Sequence, residues 1–221
     1  MIRSFEDQVR RIMGDAISLA IVPAMSASDL TNERAKALLR MIEEAGIVRA
    51  KACLPYFLST LPNLETDVVR LLRRGIIGST FDDVVGATTA ITKWIELFRR
   101  STVPPLPEQL IEQVVSAVET RRELGLNMLL QCIRILTEED LLDSQHTARI
   151  TEALDDLLLE TSYATIDPDA REAVSVSLVR AECVKLARTL DRTGAHSAVT
   201  KKWIAAAQVD PLPEVRFALI E

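Results

Sequence analysis

Aromatic side chains are scarce in this chain: Trp, Tyr and Phe together make up 4% of the 221 residues, and glycine occurs only seven times. Sheets rely on aromatic and branched cross-strand pairs and on glycine at tight turns, so this scarcity argues against a β-rich core. No segment sustains period-two alternation between turn residues either, so strands are not required. Leu, Ala, Ile, Val, Glu and Arg dominate instead, and 48% of residues are hydrophobic. That content excludes a disordered chain and is the vocabulary of helices packed on helices.

Chemistry-bearing residues are equally few. The three cysteines, Cys53, Cys132 and Cys183, are odd in number and far apart. Each lies in an apolar helical context, which reads as a free core thiol in a reducing cytosol. With no Cys-x-x-Cys and only two histidines, His146 and His196, no metal site is expected. Both histidines stand where helices should begin, in surface or capping positions. No nucleophile-elbow glycine pattern and no phosphate-cradling glycine loop is present, so neither catalysis nor a cofactor is expected. The stretch GIIGST, Gly75 to Thr80, lacks a following lysine and reads as the end of one helix and the start of another.

A long apolar span is missing too. The N-terminus begins with arginines and an apolar run, Ala16 to Ala27, which imitates a signal peptide. Glu6, Asp7 and Asp15 interrupt the basic region, however, and the 12-residue run contains Pro23. A bilayer needs about 20 apolar residues, so no membrane association is expected and a cytoplasmic location is.

Net charge is −6, unevenly placed. Residues 1–108 carry 14 Lys/Arg against 13 Asp/Glu, whereas residues 109–221 carry 12 against 19. From Glu138 to Asp169 ten acids, among them Glu138, Glu139, Asp140, Asp143, Asp155 and Asp156, stand against the single base Arg149. This belt is the candidate surface for a basic protein partner, with a merely solvated acidic face as the alternative. Basic doublets punctuate the chain at Arg10–Arg11, Arg73–Arg74, Arg99–Arg100, Arg121–Arg122 and Lys201–Lys202. Pairing with helix C-termini accounts for most of them. If Arg73, Arg74, Arg99 and Arg100 shared one groove, they would bind an anion such as a phosphate backbone. The overall pI of about 5.2 makes nucleic acid an unfavoured partner.

Apolar spacing and caps predict about eleven helices, at 3–22, 31–45, 47–60, 64–76, 81–100, 107–121, 124–137, 145–161, 169–192, 196–208 and 213–221. Asn63, Ser79–Thr80 and Ser144 read as caps. In the helix from Asn63, Val68, Leu71 and Leu72 form an inward stripe opposite Arg70, Arg73 and Arg74. The helix over 169–192 is apolar on more than one face, with Val174, Leu178 and Ala181 on one side and Cys183, Leu186, Ala187 and Leu190 on another. It should therefore be covered on more than one side.

The two halves echo each other. GATTAITKWIELFRRSTVPPLPE, Gly86 to Glu108, matches GAHSAVTKKWIAAAQVDPLPE, Gly194 to Glu214, with Trp94 and Trp203 109 residues apart. Both tryptophans fall mid-helix and read as packing anchors. This predicts a tandem duplication with a first half over 1–108 and a second over 109–221, stacked as one continuous domain. A finer echo pairs PDAREAV, Pro168 to Val174, with PEVRFAL, Pro213 to Leu219, placing Arg171 and Arg216 45 residues apart. That spacing falls within the roughly 40–47 residues of HEAT and armadillo units.

DPDAREAV and DPLPEVRFAL resemble the start of the second helix of a HEAT repeat. The resemblance implies an all-α, irregular HEAT-like α-solenoid. It further implies that Asp167, Pro168, Asp210 and Pro211 shape turns, and that Arg171 and Arg216 bridge to a neighbouring repeat's aspartate. It covers these two stretches, with a faint echo at ETDVVRLL, Glu65 to Leu72. Stacked helix pairs make extended partner surfaces, so the expected work is non-enzymatic scaffolding of a protein–protein interaction. The RRELGL stretch, the Tyr163 region, Trp203 and the closing DPLPEVR also resemble helical regions that end large bacterial multidomain proteins. Some of those are NTPase-linked or defence-associated, which implies a regulatory or sensing domain as the alternative. A nucleic-acid-binding HEAT-like protein is the second alternative.

Overall fold

Proline and glycine mark where the helices of the first half begin, break and cross. The computed structural model describes residues 32–45, 51–78, 80–120, 125–160, 171–194 and 197–220. The first predicted helix, Arg10–Arg11, Ser79, Arg121–Arg122, Tyr163, Asp167, Pro168 and His196 lie outside the described residues. Every regular element described is helical: ten α-helices and one 3₁₀ turn, with no strand among the described residues. The chain divides into two compact units, and the division falls between Gln113 and Val114.

The first unit contains α1 (Asn32–Ala45), α2 (Tyr56–Thr60), α3 (Glu65–Ile76) and α4 (Phe81–Arg99). It ends in the opening turns of α5 (Glu108–Thr120). The single helix expected over 47–60 is interrupted. Cys53, Leu54 and Pro55 form a turn, and α2 starts only at Tyr56. Pro55 has no N–H to give to a helix, and the junction is held instead by tighter i→i+3 bonds, Leu54 N–H to the Lys51 carbonyl at 3.0 Å and Phe57 N–H to the Leu54 carbonyl at 3.1 Å. A 3₁₀ turn, Pro62–Leu64, then leads into α3, and Leu64 rather than Asn63 occupies the N-cap position. Glu65 and Asp67 lie in the first turn of α3 and Arg73 and Arg74 in its last, as the helix dipole favours.

Val68, Leu71, Leu72 and Ile76 bury the inner face of α3, which packs on α4, and Val69 is buried at the edge of that face. Gly75 makes the crossing possible: a Cβ there would lie 2.8 Å from Ala87 Cβ and 3.1 Å from the Asp83 carbonyl oxygen. This glycine sits inside α3, and the chain stops after Ile76 and restarts at Phe81. Thr80 caps α4 by accepting from the Asp83 N–H at 3.2 Å. Trp94 is fully buried, and its indole N–H donates to the Pro104 carbonyl at 2.9 Å. The helix α4 ends with Ser101 in the left-handed region (φ 56°) and Thr102 N–H reaching back to the Leu97 carbonyl at 3.1 Å.

The second unit holds the rest of α5, then α6 (Leu126–Glu138), α7 (Ser144–Glu160), α8 (Arg171–Arg192), α9 (Ala198–Gln208) and α10 (Pro213–Phe217). The long α8 packs against α6, α9 and α10. Ala181, Cys183, Val184, Leu186, Ala187 and Leu190 are all buried, as a helix covered on several sides requires. Leu178 departs from that expectation and is exposed. Trp203 on α9 is fully buried and donates its indole N–H to the Leu154 carbonyl at 2.9 Å. Asp143, not Ser144, caps α7, its carboxylate accepting from the His146 N–H at 2.7 Å.

The closing helix is shorter than 213–221: α10 ends at Phe217, although Val215 and Ala218 are buried. Asp210 orders its entry. One carboxylate oxygen accepts from the Leu212 N–H at 2.9 Å, and the other receives Arg180 Nη1 at 3.2 Å, with both side chains fully buried. The resemblance assigned the bridging part to Arg216, but that guanidinium folds back onto the Asp210 and Pro211 carbonyls of its own turn. Arg180, from the middle of α8, is the arginine that meets Asp210.

Candidate functional site

The outer face of α3 carries an open concavity within the first unit. Thr66, Val69, Arg70, Arg73, Arg74 and Ile77 recur at spacings of three and four and so stand in one stripe. With Pro107, Gln109 and Gln113 on the opposite wall they line a groove of about 400 Å³. Arg73 and Arg74 therefore share a groove, joined by Arg70. Arg99 and Arg100 do not line it; both are exposed at the end of α4.

Two of the groove's arginines converge on one acid. Arg70 Nη1 donates to Glu43 Oε1 at 3.0 Å, and Arg74 Nη1 donates to the same oxygen. Arg73 instead donates its Nε–H to the neutral amide oxygen of Gln113 at 3.2 Å. All three guanidiniums are substantially exposed. Beyond Arg74 lies a smaller hollow of about 220 Å³, whose walls include Glu43, Lys51, Leu54, Gly75 and Asp83. Lys51 donates to Asp83 there. Partial burial works to raise the Asp83 pKa but is outweighed by hydrogen bonds from Lys51 and Thr80, so the carboxyl stays below its ordinary value.

The acidic belt of the second unit is occupied with internal tasks. Glu138 accepts from Arg134 Nη1 at 2.9 Å and lies 3.8 Å from Arg192 of α8. Asp140 adopts φ 55°, and the Leu141 N–H beyond it bonds to the Leu136 carbonyl at 3.0 Å, which closes α6. Asp143 caps α7, and the hydrogen bond from the His146 N–H holds its carboxyl below the ordinary aspartate value. Asp155 accepts from Lys202 of α9 at 3.0 Å. Glu139 is half-buried, and Asp156 is exposed.

Among the described residues no group of three or more His, Cys, Asp or Glu side chains could hold a metal ion, and no helix is long and apolar enough to cross a membrane. Cys132 and Cys183 are buried, and desolvation raises both thiols, Cys132 to about 12. His146 is buried, with Nδ1 3.0 Å from Asp143 Oδ1. Both tryptophans are anchors in the core with no exposed ring face.

Sequence reasoning singled out Arg73 and Arg74 but missed Glu43, Gln109 and Gln113. The three-and-four spacing of the α3 stripe was readable, whereas pairing across 27 to 40 residues leaves no local trace. The chain matches no protein-family model, no curated protein and no solved structure.

Proposed function

We propose that this chain is a non-enzymatic scaffold of irregular, HEAT-like stacked helices, acting in the cytoplasm through protein–protein interaction. The groove along α3 carries the reading: exposed guanidiniums, amides and an exposed isoleucine lie side by side in an open concavity. Polar and apolar groups mixed in this way suit a polypeptide surface better than a small metabolite, whose sites are more enclosed and more apolar.

The duplication is part of the same proposal, and it is supported over the stretch from tryptophan to PLPE. In each copy the tryptophan is fully buried and a buried leucine, Leu106 or Leu212, precedes a proline at a helix start, although the indole acceptors differ, Pro104 within the first copy and Leu154 of α7 outside the second. Upstream the copies diverge, with Gly86 inside α4 and Gly194 in a turn at φ 88°. The three free cysteines suit a reducing compartment.

Photo-crosslinking tests the interaction reading. A benzoylphenylalanine placed at Gln109, on the groove wall, or at Asp156, in the belt, is irradiated in extract of cells expressing the full chain. Polypeptide adducts at Gln109 are expected. Adducts consisting of nucleic acid, or no polypeptide adduct at either position, would remove the proposal.

A further inference from the structure

We propose that the α3 groove receives an extended acidic segment of a partner protein, and that Glu43 is an internal competitor holding two of the groove's arginines until that segment arrives. The proposal rests on the interaction reading above and names its chemistry.

The stripe from Thr66 to Ile77 rises about 16 Å at 1.5 Å per residue, which matches about five residues of extended peptide. Its charge balance departs from the protein's. Arg70, Arg73 and Arg74 against Glu43, Glu65 and Asp67, which lies 3.7 Å from Arg70, give 3 − 3 = 0 at the groove, in a chain of net charge −6. Arg73 is hydrogen-bonded to an uncharged amide, so that contact leaves its positive charge uncompensated. A carboxylate arriving beside it gains a charge-assisted, forked partner.

Glu43 already does to Arg70 and Arg74 what such a carboxylate would do, using one oxygen for both. The arginines of those pairs are exposed, Arg74 at 65% and Arg70 at 46%, and Glu43 is half-buried at 27%. Each such pair favours the bound arrangement by no more than about fivefold, so an incoming acid that takes over both arginines displaces Glu43 at modest cost. Gln109 and Gln113 supply amides able to pair with a peptide main chain, and exposed Ile77 supplies apolar contact. A polynucleotide is disfavoured because its many phosphates would face a net acidic molecule through only three arginines.

The test is fluorescence anisotropy at low ionic strength with the full chain. Its probes are a labelled eight-residue peptide alternating glutamate with leucine or serine, the same peptide with glutamine for glutamate, and a 12-nucleotide single-stranded RNA. The glutamate peptide should bind at least about tenfold more tightly than its glutamine counterpart, and Arg73→Gln should weaken it about tenfold. Glu43→Gln should tighten it about three- to fivefold, and Arg100→Gln, outside the groove, should leave it unchanged.

Equal affinity for the two peptides, or indifference to Arg73→Gln, overturns the site. Weakening by Glu43→Gln overturns the competitor role. Should Glu43→Gln unfold α1, arginine Nε–H NMR signals of the wild-type chain decide that role instead. Arg70 and Arg74 must shift together with Arg73 on peptide addition, and a shift of Arg73 alone refutes competition. Loss of peptide binding with polypeptide crosslinks retained removes only the acidic-peptide assignment. RNA bound more tightly than peptide removes the interaction reading as well.

Discussion

Substituting Asp210 should unfasten the end of the second unit, and the size of the effect follows from where its charge lies. Arg180 and Asp210 meet at 3.2 Å with no solvent access to either side chain. Removing one partner of a buried pair costs about 3–5 kcal/mol, because the remaining group loses a charged partner where water cannot replace it. Asp210→Ala also deletes the acceptor for the Leu212 N–H, worth about 1 kcal/mol, so it should fall at the upper end of that range. Asp210→Asn keeps an oxygen for Leu212 and should cost about 1 kcal/mol less. Arg180→Met combined with Asp210→Ala removes both charges together and should recover much of the loss.

The molecule supplies its own assay. Trp203 lies in the second unit and Trp94 in the first, so in a Trp94→Phe background indole fluorescence reports only the unit that holds the pair. Urea titration and thermal melting of that signal should give the ranking Asp210→Ala, then Asp210→Asn, then the double variant, with Asp210→Ala lowering the midpoint by at least about 10 °C. A change for Asp210→Ala within about 0.5 kcal/mol of the parent would refute the claim that this pair holds α10 and its turn to α8.

Gly75→Ala should destabilise the first unit by about 1–3 kcal/mol, read by Trp94 fluorescence, because its Cβ would press on Ala87 Cβ at 2.8 Å. Adding Ala87→Gly should return part of that loss. Asp143 gives an acid-side prediction: its folded pKa is depressed, mainly by the His146 N–H, so its stabilisation is present above the ordinary aspartate pKa. It is lost as pH falls through the lower folded value, and Asp143→Asn should flatten that part of the stability–pH curve in denaturant titrations. Native thiol titration should leave Cys132 and Cys183 unmodified, since burial raises both thiols, whereas denaturation should expose all three cysteines. Rapid native labelling of either residue would contradict that burial.

What could be read from the chain was whatever repeats at the period of one helix. The buried Val68, Leu71 and Leu72 and the outward Arg70, Arg73 and Arg74 follow directly from three-and-four spacing, and their opposition is the groove's origin. Boundaries set by a single residue were misjudged. Pro55 broke a predicted helix, Leu64 took the cap position given to Asn63, and Asp143 took the one given to Ser144. In each case apolar periodicity ran through the junction, and only backbone hydrogen bonding distinguishes the true boundary. Gly75 was visible as a glycine, but the near approach of Ala87 that requires it belongs to the packing of α3 on α4. Arg180 and Asp210 could not be paired from the chain because 30 residues separate them and no local pattern marks the match.

Net charge pointed towards the acidic half as the surface for a partner, and the individual acids argue the other way. Asp140 ends α6, Asp143 starts α7, Glu138 ties α6 to α8, and Asp155 ties α7 to α9. A basic partner drawing on Asp143 would compete with the cap of α7, so part of any binding energy would be offset by loosened structure, whereas the exposed Glu138–Arg192 and Asp155–Lys202 pairs add little to that cost. At the α3 groove the balance is reversed. Half-buried Glu43 is held by two pairs with exposed arginines, each of small net value, and Arg73 by an amide that carries no charge. An acidic segment can replace both without disturbing the buried face of α3, where Val68 and Leu72 remain packed. Affinity depends on what a surface gives up as well as on what it gains, and by that measure a few arginines in the nearly neutral half outweigh many acids in the other.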